Sequence, residues 1–125
     1  MVIVLRVLAG LVALMFTVQG ILWIAAPADV AESLGMPLLE GMGASTQIGD
    51  LGSFFLVGGL MMAVGQLPGR SRWLYPPAML VFGAAVMRTL AALVGHADFA
   101  PEFIVPELIM GAILVATARR LASSD

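Results

Sequence analysis

Four long apolar runs alternate with short polar interruptions along this chain. They cover residues 2–26, 46–67, 73–94 and 102–121. Each is close to the ~20 residues that an α-helix needs to cross a hydrocarbon core. The pattern predicts an all-α fold: an integral membrane four-helix bundle, with residues 1–125 as a single four-transmembrane-helix domain. The segment 27–45 carries Asp29, Glu32 and Glu40. It reads as an interfacial stretch, with a turn or two of helix from Asp29 to Leu34 stopped by Gly35.

Local punctuation supports these boundaries. Pro68-Gly69-Arg70-Ser71-Arg72 is a turn between the second and third runs. Pro76 and Pro77 follow closely, a position a helix tolerates only in its first turns, where the missing N–H has no partner to lose. Trp73 and Tyr75 fit the amphipathic belt at a membrane–water boundary. Gly95 to Ala100 form the last loop. Arg6 and the sequence Ala26-Pro27-Ala28 have a flavour of a secretory leader, but the first run exceeds the ~7–15 apolar residues of such a segment and is read as a retained helix.

The arginines set an orientation. If four helices cross, then Arg6, Arg70, Arg72, Arg119 and Arg120 all lie on one side, and the other connections carry acids and His96 but no arginine. By the positive-inside bias both termini face the cytoplasm of a bacterial inner membrane, N-in and C-in. The same asymmetry argues against an antiparallel dual-topology dimer.

Composition narrows the chemistry. With 61% hydrophobic and 11% charged residues and a mean hydropathy of +1.04, there is no room for an aqueous catalytic domain. The absence of cysteine excludes disulfides, thiolate nucleophiles and iron–sulfur ligation. A net charge of −2 without a basic stripe gives no support for a nucleic-acid partner. One histidine cannot supply a bis-histidyl haem, and His96, Asp98 and Glu102 are not spaced as metal ligands, so no metal site is expected. The nine methionines read as packing residues.

The informative positions are polar residues inside the runs. Gln19, Asp50, Arg88 and Glu107 each lie five to seven residues from the outer end of a different helix. At 1.5 Å per residue that is one layer ~7–11 Å below the outer boundary. Charge in hydrocarbon is costly, so these groups are expected to face inward and pair. Arg88 is expected to bridge Asp50 and Glu107, with Gln19 completing the hydrogen bonds. Gln47, His96 and Glu102 extend the layer outward as a pocket mouth, and Pro106 frees the carbonyl of Glu102. A competing reading gives the layer no ligand and makes it an ion-pair network that fixes helix register. Small residues, chiefly Gly49, Ser53 and Gly58-Gly59, make the second helix the central one.

Trp23-x3-Pro27, Leu34-Gly35, the glycine-rich second helix, Arg88 late in the third and Pro106-Glu107-Leu108 early in the fourth together resemble small four-helix bacterial membrane families described as DoxX-like, or as tetraspan domains of unknown function. The resemblance implies a left-handed inner-membrane bundle associated with quinone-linked redox or membrane-stress functions. It carries over no catalytic residue. The expected function is a non-enzymatic membrane protein whose outward-facing polar cluster binds a small molecule, a lipid or a partner membrane protein. A proton-coupled transporter or ion-conducting oligomer, and a quinone- or lipid-linked redox accessory subunit, are the alternatives. No cofactor is predicted, with quinone the one the resemblance admits. The lipid bilayer is the expected partner, and a homo-oligomer or larger membrane complex stays open.

Overall fold

The computed structural model describes residues 1–124. Among them the regular structure is all helical: α1 (Val2–Ala25), α2 (Pro27–Ser33), α3 (Gly41–Gly65), α4 (Tyr75–Leu93) and α5 (Pro101–Ala122), with a 3₁₀ turn at Ser71–Leu74 leading into α4. Counting that turn with α4, four helices are long and apolar enough to cross a membrane. In the most apolar stretch of each, only 22–28% of positions are buried. Most outward positions are apolar too, among them Ile3, Val7, Leu11, Leu14, Met79, Met87 and Leu93. An aqueous surface is not built this way.

The second long helix begins at Gly41, where the apolar pattern predicts a start at residue 46. The extra turn, Gly-Met-Gly-Ala-Ser, is a poor helix former by composition. Tertiary contacts hold it. A Cβ at Gly43 would stand 3.1 Å from the Leu39 side chain, so the incoming loop lies close against this turn. Gln47 then ties the same loop down. Residues 27–33 do form the short α2, opened by Pro27 and closed into a turn by Gly35 at φ +79°.

The helices pack as two tight pairs, α1 with α3 and α4 with α5. Glycine sets the first pair. A Cβ at Gly20 would fall 2.5 Å from the Leu56 backbone nitrogen, and one at Gly59 would fall 2.6 Å from that of Thr17. The two backbones touch, as small residues permit between apolar helices. In the second pair Gly111 receives the Phe82 ring.

The pairs meet at the arginine-bearing end. Thr117 Oγ1, which donates within α5 to the Ile113 carbonyl at 2.7 Å, also lies 3.2 Å from the Leu5 carbonyl and so brings α5 against α1. Arg6 donates to the Gln66 carbonyl at 3.1 Å, joining α1 to the end of α3. Around these links lies the larger core, with Phe16, Met62, Leu74, Val81, Leu114 and Ala118. At the opposite end Trp23, Val30 and Ala31 form a second cluster that packs α2 and its following loop onto α1 and α3. Contact between α3 and α4 is sparse. The half of the bundle away from the arginines is therefore filled on the α1–α3 side and left open toward α4 and α5.

Candidate functional site

That open half is a cavity of about 550 Å³. Its inner end is closed by Phe16 and Val81 of the main core, and Leu34 and Met36 of the α2–α3 loop line it at the other. Leu51, Phe54 and Phe55 of α3 form one wall, and Phe103, Pro106 and Met110 of α5 another. Three phenylalanines interlock on the α1–α3 side, with ring centroids 5.0 Å apart for Phe16–Phe55 and for Phe54–Phe55, the latter pair edge-on at 87°. Tilted and edge-on contacts are favourable for such rings, so the three pack as one aromatic wall.

Polar chemistry enters the cavity through α4 and α5. At about 100° per residue, Arg88 continues the inward stripe of α4, Pro77, Ala78, Val81 and Ala85. Glu107 does the same on α5, in line with Ile104, Gly111, Leu114 and Ala118. The two meet: Arg88 Nε donates to Glu107 Oε1 at 2.8 Å. The Phe103 ring lies against the guanidinium, its centroid 4.7 Å from Cζ, a cation–π contact that holds the plane of the fork.

The pairing uses one nitrogen and one oxygen. Glu107 Oε2 is sealed from solvent with no hydrogen-bond partner among the described residues. The terminal nitrogens of Arg88 likewise have no acceptor among the described residues, although the side chain lines the cavity and is 35% exposed. A guanidinium has five N–H donors, and here one is engaged. The arrangement is a charge-neutral pair with donors left over, set in an aromatic and thioether wall.

The other expected site residues fall in different places. Gln19 lines the cavity from α1, and Glu102 stands exposed at its rim. Asp50 does not join Arg88. It is exposed, in a shallow groove between α3 and α4 with Ser53, Val57 and Leu80. The depth of Asp50 suits the layer, but its angle does not: it lies about 90° around α3 from the buried stripe through Gln47, Gly58, Met62 and Gly65. Gln47 is no pocket mouth either. It is buried, accepting from the Leu39 N–H at 2.9 Å and donating to the Pro37 carbonyl at 3.1 Å and to Met36 Sδ at 3.0 Å. Its amide substitutes for the hydrogen bonds that residues 36–39 lack outside a helix. His96 is exposed in the α4–α5 loop, away from the cavity. Sequence reasoning missed the α2–α3 loop as a cavity wall. The available signal was the apolar character of the connection itself, Leu34-Gly35-Met36-Pro37-Leu38-Leu39, which an exposed loop would not need.

Among the described residues no group of three or more metal-ligating side chains gathers. No protein-family model, curated protein or solved structure matches the chain, so the reading of this site rests on its own geometry.

Proposed function

We propose that this is a multi-pass membrane protein whose arginine-rich end faces the cytoplasm, and whose outer-half cavity binds one small, neutral, mostly apolar molecule. Arg88 is its polar anchor, donating through its terminal nitrogens to an acceptor oxygen on the ligand. The observation that carries the reading is the guanidinium with unspent donors inside a cavity lined mostly by apolar side chains, phenylalanine and methionine foremost.

Charge argues for neutrality. Glu107 already matches Arg88, and Glu102 at the rim adds a negative charge, so an anionic head would enter a site with no net attraction for it. A neutral carbonyl or hydroxyl meets the free donors without that repulsion. Size agrees, since about 550 Å³ lies within the ~300–1,000 Å³ of small-molecule sites. Flat rings suit the phenylalanine wall, and thioether side chains adapt to irregular apolar bodies. A quinone headgroup has this shape and chemistry, as does a neutral lipid fragment. The function is binding or carriage in the membrane, in an inner membrane if the host is bacterial.

The test is titration calorimetry in lipid nanodiscs with two probes of similar tail length. Decylubiquinone is neutral and bears carbonyls, and decanoate is an anion. The wild-type chain is expected to bind the first and not the second above the lipid background. Arg88→Met is expected to weaken decylubiquinone by about tenfold or more, the ~1.5–3 kcal/mol of a hydrogen bond to a charged group. Equal binding of both probes, or unchanged binding in Arg88→Met, sinks the proposal.

A further inference from the structure

Asp50 is a carboxylate on the outside of a spanning helix. It is the ninth residue after the start of α3, about 14 Å along the helix axis. Once the 25-residue helix is centred on a ~30 Å hydrocarbon core, the carboxylate lies roughly 10 Å inside it. The group is exposed, and no side chain or backbone N–H among the described residues bonds to it. The one polar neighbour, Ser53, donates instead to the Asp50 backbone carbonyl at 3.1 Å. An aspartate stem is too short to snorkel to water as lysine and arginine do. Charged groups in this position face a partner or a water-filled path.

The surface around it is shaped for a helix. Gly49 and Ser53 are small, exposed and one turn apart, and a Cβ at Gly49 would meet nothing within 4 Å. Val57 and Leu80 continue the groove along the sparse α3–α4 seam. Small residues four apart let another helix come close in lipid.

Charge decides the occupant. This chain has six arginines and no lysine. Five of the arginines lie at the opposite end of the bundle, and Arg88 is held by Glu107 inside the cavity. A second copy docked here in the same orientation would bring no cation to Asp50. We propose that the α3–α4 groove docks a transmembrane helix of a different protein carrying a lysine or arginine at the depth of Asp50, the carboxylate and the cation pairing as they lose contact with lipid. The proposal rests on the membrane-spanning reading of the chain, and is independent of what the cavity binds.

The full chain, dye-labelled through Ser124→Cys, is reconstituted into phosphatidylcholine vesicles with labelled Leu-Ala host helices. One host helix carries a single arginine about ten residues from its end, and its control carries leucine there. Energy transfer is expected to report association with the arginine helix, at least tenfold tighter than with the leucine helix. Asp50→Asn is expected to abolish the difference between the two helices. Leu80→Trp, which fills the groove without touching the charge, is expected to weaken association with both. Equal association of the two helices, or an Asp50→Asn chain that still prefers arginine, overturns the proposal. So does Asp50-dependent association between copies of this chain, which would make the occupant a second copy. Flotation of the vesicles separates the two readings. A chain that stays behind brings down the membrane reading and this proposal together. One that floats but shows no arginine preference brings down this proposal alone.

Discussion

Arg88 and Glu107 lie 19 positions apart in sequence and 2.8 Å apart in space, joining α4 to α5 where the two helices bound the cavity. Glu107 is nearly buried, with its side chain 12% exposed, whereas Arg88 at 35% keeps part of its hydration. Removing the arginine therefore harms the fold more than removing the carboxylate, because it strands a negative charge in a dry place. Arg88→Met is expected to cost about 1–3 kcal/mol, below the ~3–5 of a fully buried pair. The double variant Arg88→Met with Glu107→Leu is expected to recover part of that loss. Thermal unfolding in detergent of Arg88→Met, Glu107→Leu and the double variant, beside the parent, checks the order. A double variant less stable than Arg88→Met would show that the pair is not the unit that matters.

Gln47 holds the α2–α3 loop against the end of the bundle away from the arginines, through three side-chain hydrogen bonds to residues 36–39. Gln47→Ala leaves the Leu39 N–H and the Pro37 carbonyl without that partner and is expected to cost about 1–3 kcal/mol. Because Leu34 and Met36 line the cavity, the effect should reach the site. Hydrogen exchange is expected to quicken at residues 36–39 while the amides of α5 stay protected. If exchange rises uniformly along the chain, the loop is not a separate unit and Gln47 stabilises the whole bundle.

Helix count and the short α2 were legible because hydropathy is a one-dimensional property of a sequence. Angle around a helix is not read so easily when most sides are apolar. Depth alone groups Asp50 with Arg88 and Glu107, yet the buried stripe through Gln47, Gly58, Met62 and Gly65 marks the contact face of α3, and that face points about 90° away from Asp50. Arg88 and Glu107 were legible as a pair because each extends a stripe of small or apolar residues at i, i+3, i+4 and i+7 spacing. The part played by Gln47 could not be read locally, since its partners lie in an irregular loop whose path is set by the cluster around Trp23. The early start of α3 was hidden for the same reason.

The α1–α3 contact leaves no space for side chains at two points. A Cβ at Gly59 would meet the Thr17 nitrogen at 2.6 Å, and one at Gly20 the Leu56 nitrogen at 2.5 Å, both backbone atoms that cannot swing aside. Gly59→Val and Gly20→Val are each expected to destabilise by about 3 kcal/mol or more, the upper end for overpacking. Gly83→Ala is the control. It lies in α4 with nothing within 4 Å of the added methyl, and should gain up to about 1 kcal/mol of helix propensity. Yield of detergent-stable protein and its melting temperature read both. A Gly59→Val chain as stable as the parent would mean that the helices do not cross this closely.

The absence of cysteine makes the orientation directly measurable. His96, in the α4–α5 loop, and Ser124, beyond the end of α5, are both exposed and lie at opposite ends of α5. With Arg6, Arg70, Arg72, Arg119 and Arg120 gathered at the Ser124 end, the positive-inside bias puts His96 outside. In intact cells a membrane-impermeant maleimide is expected to label His96→Cys and to leave Ser124→Cys unlabelled until the membrane is opened. Moving the charge should move the protein. Replacing Arg70, Arg72, Arg119 and Arg120 by glutamine removes four of the five basic residues at that end, and should make both positions partly reactive from outside as insertion becomes mixed. Labelling of Ser124→Cys alone in intact cells would invert the bundle. The cavity, with Arg88 and Glu107, would then lie in the cytoplasmic half of the membrane, and its ligand would have to come from that side.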